Sequence, residues 1–242
     1  MKRHSLGIFA AVLLLTGLAP ADFAQTTEEI LGKMVDALGG AEALAAIHDA
    51  TVSSSIELIQ MGLSGNMTMY KKEPDKIRMD IEVMGMTISQ GYDGAKAWMT
   101  NPQTGATEEM PEKYAAYFKR QAMGNDSILH PEKYGISYAF KGKEKIDGKD
   151  YLVLEQGFSD GHVSSLYLDA ATYLLYKSKS LTLNQAGNEV PAETFASDYR
   201  KAGDMNVAHA MTVLENGAES MKITVLSVVY NSGLEDSRFA AK

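Results

Sequence analysis

Between residues 64 and 102 the apolar and polar positions alternate with a period of two. Ile77, Met79, Ile81 and Val83 are interleaved with Arg78, Asp80 and Glu82. In an extended chain successive side chains point to opposite faces, so this run places its apolar set on one side of a sheet and its charges on the other. One strand earlier, Met67 and Met69 alternate with Asn66, Thr68 and Tyr70. Glu73-Pro74-Asp75 separates the two runs as a turn, because proline fixes its own φ and pushes the preceding residue out of the helical region. Gly85 divides Val83-Met84 from Met86-Thr87-Ile88, and Asp93-Gly94 supplies a positive-φ turn suited to a hairpin. The stretch predicts four short antiparallel strands with a methionine-rich inner face.

The rest of the chain extends or covers that sheet. Over residues 26–38, Ile30, Leu31, Met34, Val35 and Leu38 recur at helical spacing, and Thr26 with Glu29 fits a capping box. Gly39-Gly40 ends that helix, and residues 41–47 predict a short second one. Strand patterns then follow from Thr51. Residues 111–123 break the rhythm: Pro111 suits a first helical position, and Tyr114, Tyr117 and Phe118 share one helical face. This helix is read as a flap over the mouth of a barrel. Strands return at 134–140, 151–156, 163–168, 173–183, 190–200, 206–214 and 221–230, separated by turns such as Asp147-Gly148, Asp160-Gly161 and Asn216-Gly217. In the long strand 173–183, Lys177 and Lys179 share one side. The polar tail from Ser232 has one large apolar residue, Phe239, which is expected to dock. The fold class is therefore mainly β with α. It is a curved antiparallel sheet of about ten or eleven strands forming an incomplete β-barrel, with an N-terminal helix and a helical lid.

Composition narrows the function. Lys2, Arg3 and His4 precede an apolar run from Leu6 to Leu18, and Ala19-Pro20-Ala21 fits a cleavage site, with Ala24 as an alternative. The run is shorter than the ~20 residues a membrane helix needs. Residues 1–21 are read as a cleaved secretory signal and residues 22–242 as a single domain in an exported, periplasmic compartment. Cleavage removes two cations and no acid, taking the net charge from -8 to -10. There are no cysteines, which excludes disulfides, thiol nucleophiles and thiolate metal sites. An acidic chain without basic runs argues against nucleic acid as a partner. His48, His130, His162 and His209 fall in no HExxH or HxH arrangement, and the chain has neither a GxSxG elbow nor a phosphate loop. Glu108, Glu109 and Glu112 are read as a solvated helix start, where negative charge is favourable. No catalytic set, metal or cofactor is expected.

What the chain does have is 14 methionines, seven of them among Met61, Met67, Met69, Met79, Met84, Met86 and Met99. Ordinary core packing accounts for most. Methionine is also flexible and polarizable, so it adapts to ligands of variable shape, and a barrel this wide tends to enclose a cavity. Burying an acyl chain of about 16 carbons gains on the order of 10 kcal/mol, against about 0 to 1 kcal/mol for a surface ion pair. Lipid affinity would be set by the apolar wall.

Lys72-x-Pro74-Asp75-Lys76-Ile77-Arg78 followed by Tyr92-Asp93-Gly94-x-Lys96-x-Trp98 and Pro102 resembles the outer-membrane lipoprotein carrier family, the LolA/LolB-like proteins and their lipoprotein-sorting relatives. Asp147-Gly148-Lys149-x-Tyr151 and Tyr167-Leu168-Asp169 are also similar to the sorting relatives. The resemblance implies an incomplete barrel whose apolar cavity takes the acyl chains of lipids or lipoproteins. It also implies a periplasmic shuttle that works toward the outer membrane without catalysis, with an inner- or outer-membrane partner. One position departs from it: where the carriers have a basic residue before the turn proline, this chain has Glu73, with Lys72 one place earlier. The expected ligand-binding residues are Met67, Met69, Ile77, Met79, Ile81, Met86 and Ile88, with Trp98 at a position open to either face, and Tyr114, Tyr117 and Phe118 on the lid. An envelope sensor or interaction module on the same scaffold is the alternative function, and an enzyme the weakest.

Overall fold

The computed structural model describes residues 25–184 and 187–241, so the signal segment read over residues 1–21 and the cleavage alternative at Ala24 lie outside it. Helix α1 (Thr27–Leu38) starts at the capping box: Thr26 Oγ1 accepts from Glu29 N, and the Glu29 carboxylate accepts from Thr26 N. It stops at Gly39, where φ is 141° and a Cβ would lie 2.7 Å from Asp204 O, so glycine is required there. Helix α2 (Ala41–Ala45) follows and is two residues shorter than the expected 41–47.

Six strands come next: β1 (Asp49–Leu58), β2 (Leu63–Lys72), β3 (Lys76–Val83), β4 (Met86–Tyr92), β5 (Ala97–Thr100) and β6 (Thr107–Glu109). Helix α3 (Glu112–Ala122) and the single turn α4 (Asp126–Leu129) lead to seven more. These are β7 (Ile136–Ile146), β8 (Lys149–Phe158), β9 (Val163–Asp169), β10 (Leu175–Leu183), β11 (Glu189–Ala202), β12 (Met205–Glu215) and β13 (Ala218–Tyr230). Among the described residues thirteen strands thus form instead of about ten or eleven. One source of the difference is β6: Glu108 and Glu109, read as a helix start, pair with Met99 and Trp98.

All pairings are antiparallel, in the order β6-β5-β4-β3-β2-β1-β13-β12-β11-β10-β9-β8-β7. Neighbours in sequence are neighbours in space, except that β1 pairs with β13 and joins the two halves. The outer strands β6 and β7 do not pair, so the barrel stays open. α3 shows that the sheet curls. β4 and β10 stand seven strand spacings apart, about 33 Å if the sheet were flat. An 11-residue helix is only ~16 Å long and ~10 Å wide. Yet α3 packs on Ile77, Tyr92 and Ala97 along one flank and bonds to Asp160, Asn184 and Gly187 on the other.

The inner face of this curl is not packed into one core. Three clusters of buried residues lie under the helices, the second and third of them bridged by Leu38 at the end of α1. Ile77, Tyr92 and Ala97 meet Phe118 and Ala122 of α3. Ile30 and Met34 of α1 meet Leu152, Leu154 and Leu168. Leu44 of α2 and Ile47 meet Met205. A domain of this size ordinarily has one contiguous core. Here the apolar residues between the clusters, among them Met67, Ile81, Met211 and Ile223, stay half-buried.

The tail after β13 crosses the outer face of β1 to β5. Asp49 accepts from Ser232 N, Ser232 Oγ, Gly233 N and Leu234 N at 2.8 to 3.1 Å. Asp236 pairs with Lys72 and Lys76 at 2.8 and 2.9 Å. Phe239 is fully buried, as the sequence led one to expect.

Candidate functional site

Strand register assembles the site. In an antiparallel pair, residues directly opposite share a face. Met67, Ile81 and Ile88 form one row across β2, β3 and β4, and Met69, Met79 and Gln90 form the next. Lys71, Ile77 and Tyr92 form a third row, and Gly65, Val83 and Met86 a fourth. Met67, Met69, Ile77, Met79, Ile81, Met86 and Ile88 therefore share the inner face. Their burial differs. Ile77 is 1% exposed beneath α3, Met86 is 58% exposed at the rim, and the other five are half-buried.

Helix α3 presents its aromatic side to the same hollow. Phe118 is buried, Tyr114 and Tyr117 are half-buried, and the Tyr117 and Phe118 rings meet edge to face at 5.7 Å. The Tyr117 hydroxyl is hydrogen-bonded with Thr182 on β10, and burial, the larger influence, raises its pKa. The Tyr114 hydroxyl donates to Asn184 O at 3.4 Å, and Lys113 donates to Gly187 O at 3.3 Å. Arg120 pairs with Asp160 on the β8–β9 turn.

Trp98 stands apart from this group. It lies opposite Gly91, which lies opposite Arg78, so it belongs to the outer face. There it is 3% exposed, donates to Phe239 O at 2.7 Å and takes the Arg78 guanidinium over its ring. The tail covers it, so Trp98 is removed from the cavity wall.

The other end of the lid is held by the β2–β3 turn. Glu73 accepts from Asn125 N at 2.6 Å and from Asp126 N at 3.4 Å. Gly124 donates to Pro74 O at 2.9 Å. Lys71 donates from Nζ to Met123 O at 3.0 Å. Desolvation lowers the Lys71 pKa, partly offset by the charge of Glu73. Glu73, which departs from the family pattern, is thus a fastening of the lid, and the cation reaching the lid backbone is Lys71.

Two cavities open beside the helices. One, of about 160 Å³, lies near Ile47, His48, Lys71, Glu73 and Asn125. The other, of about 720 Å³, lies between α3 and β9–β10 and is bordered by Lys113, Arg120, Asp160, His162 and Ser180. Neither is lined by the expected residues Met67, Met69, Ile77, Met79, Ile81, Met86, Ile88, Tyr114, Tyr117 or Phe118, and the second is an open cleft that also takes in Lys179, Leu181 and Glu189. Among the described residues no cluster of three or more His, Asp or Glu side chains is placed to hold a metal ion. No helix among them is long and apolar enough to cross a membrane.

No protein-family model matches the chain, and no curated protein does. Solved structures do. A LolA superfamily protein from Nitrosomonas europaea superimposes with a TM-score of 0.60 at 13% identity, over 90% of this chain and 98% of that one. A DUF1329 family protein from Desulfovibrio piger gives 0.59 at 16% identity, over 90% and 98%. A domain described as an outer-membrane lipoprotein-sorting protein from Vibrio parahaemolyticus gives 0.57 at 18% identity, over 87% and 94%. The fold is LolA/LolB-like.

Proposed function

We propose that this protein is a periplasmic, non-catalytic carrier that holds the acyl chains of lipids or lipoproteins inside its curled sheet and shuttles them toward the outer membrane. The observation that supports this most directly is the division of the core. Apolar side chains from β1 to β4 and from β12 and β13 face inward, yet the buried clusters under the helices take up Ile77 and Tyr92 at one place and Met205 at another, and leave Met67, Ile81, Met211 and Ile223 half-buried. An inward apolar surface that its own helices leave half-covered suits a hydrocarbon chain. The neighbours with the same fold add weight, one being described as lipoprotein-sorting. The signal read over residues 1–21 supports export.

Native mass spectrometry of protein purified from periplasm is expected to find bound lipid. Lipid-free protein that also fails to take up a fluorescent fatty acid would remove the reading.

A second reading, an envelope sensor or interaction module, draws on the rim. Met84 and Met86 at the β3–β4 turn are 74% and 58% exposed, and Met84 holds a φ of 54° that methionine rarely adopts. A stable cross-linked partner without transfer of cargo between membranes would favour it.

A further inference from the structure

Strand β10 runs against the apolar pattern of the hollow. Its residues Ser178, Ser180 and Thr182 alternate with Lys177, Lys179 and Leu181. Ser178 lies opposite Leu166 of β9 and Thr194 of β11, and Ser180 lies opposite Ser164 and Ala192. Leu166 packs beneath α1, so the hydroxyl set faces inward. The lysines are fixed on the outside. Lys177 sits over the Tyr167 and Phe195 rings at 4.6 and 5.3 Å and 3.6 Å from Glu193.

Thr182 already has the Tyr117 hydroxyl, and Ser164 Oγ lies 3.4 Å from His162 Nε2. The side-chain hydroxyls of Ser178, Ser180 and Thr194 make no hydrogen bond among the described residues, and all three residues are half-buried. Inward hydroxyls weaken a wall meant only for hydrocarbon, since a hydroxyl covered without a partner is costly. A local choice that conflicts with its surroundings points to function.

We propose that this stripe on β9, β10 and β11 receives an uncharged, hydroxyl-rich head group, as in an acylglycerol or a glycolipid, while the methionine wall of β2 to β4 takes the chain. The inference rests on the carrier reading above. The open cleft of about 720 Å³ between α3 and β9–β10 is bordered by Ser180, at the edge where the inward hydroxyls meet the outward Lys179 and Leu181. A carboxylate or phosphate head would need net positive charge there, and the cations of this cleft, Lys113, Arg120 and Lys179, are balanced by the carboxylates of Asp160, Glu189 and Glu193, the last two cations in direct ion pairs. Hydroxyls donate and accept, which matches a neutral polyol in both directions.

The test combines Ser178→Ala, Ser180→Ala and Thr194→Val, which remove hydroxyls with little change of volume. Binding of a long-chain monoacylglycerol and of the fatty acid of equal length is measured by displacement of a fluorescent fatty acid. Wild type is expected to prefer the monoacylglycerol. The triple variant should lose about ten- to hundredfold of that affinity while its fatty-acid affinity changes less than about threefold. Thr194→Ser, which keeps the hydroxyl, should behave as wild type. A folded triple variant with undiminished monoacylglycerol affinity overturns the head-group site and leaves the carrier reading standing. Equal weakening toward both ligands overturns it too. Wild-type protein that binds neither ligand overturns both.

Discussion

The carboxylate of Glu73 accepts a hydrogen bond from Asn125 N at 2.6 Å, and this contact joins the β2–β3 turn to the chain leaving the lid. Asp126 N at 3.4 Å, the Gly124–Pro74 backbone bond and the Lys71–Met123 bond act at the same junction. Hydrogen bonds to a charged group contribute about 1.5 to 3 kcal/mol each. Glu73→Ala is therefore expected to raise amide exchange in residues 123–129 about ten- to hundredfold, with strands β7 to β9 unchanged. Hydrogen–deuterium exchange with mass spectrometry reads this directly. Glu73→Gln keeps one acceptor and should fall between. Unchanged exchange in the alanine variant would show that the turn does not hold the lid.

Trp98 reports on the tail and not on the hollow. It is the only tryptophan, it is nearly sealed, and its indole N–H is bonded to Phe239 O on the face away from the lid. Phe239→Ala should cost about 3 to 5 kcal/mol and shift Trp98 emission to the red, because the ring and carbonyl that cover the indole move away. Fatty acid added to wild type should leave that emission in place. A strong shift on ligand binding would put Trp98 in contact with the cavity after all.

Acid should release the same tail. Lys72 and Lys76 hold the Asp236 pKa down at about 2. At Asp49 burial pushes upward, but bonds from Leu234 N, Ser232 and Gly233 N outweigh it, and the pKa is lowered. A carboxylate with a depressed folded pKa adds stability that is present above its unfolded value, near 4, and is lost as pH falls through the folded value. Trp98 emission is thus expected to shift between about pH 4 and pH 2. In Asp49→Asn it should already be shifted at neutral pH, with the acid step reduced.

How much of this was legible in the chain depends on the range of the contact that decides it. The alternation from Ile77 to Val83 fixed which side chains share a face, because that is a property of neighbouring residues. The capping box at Thr26 and the aromatic side of α3 were legible for the same reason. The side on which Trp98 falls was not. It depends on Gly91 as its partner and on a tail 141 residues later in the chain. Strand β10 offered only serine against lysine, and two polar sets carry no signal of which one turns inward. The role of Glu73 was hidden because its partners are backbone N–H groups of Asn125 and Asp126 at the start of α4, a turn of four residues too short to show a period.

The hollow itself can be tested by comparing two isoleucines on the same strand face. Ile77 is 1% exposed and packed against α3, whereas Ile81, four residues on, is half-buried between Met67 and Ile88. Ile77→Ala removes packed volume and should cost about 2 to 4 kcal/mol. Ile81 is half-buried and already open on one side, so its truncation should add little cavity cost, and about 1 kcal/mol is expected. The order should reverse for ligand. Ile81→Asp puts a carboxylate where a hydrocarbon chain would lie, and an unpaired charge against hydrocarbon is strongly unfavourable. Uptake of a fluorescent fatty acid should weaken at least about tenfold, with thermal denaturation close to wild type, since the new carboxylate can remain hydrated in the unliganded hollow. An interior filled by its own side chains predicts the opposite pattern, in which Ile81→Ala destabilises as much as Ile77→Ala and Ile81→Asp does not fold. Denaturant titrations of the two alanine variants distinguish these outcomes before any ligand is added.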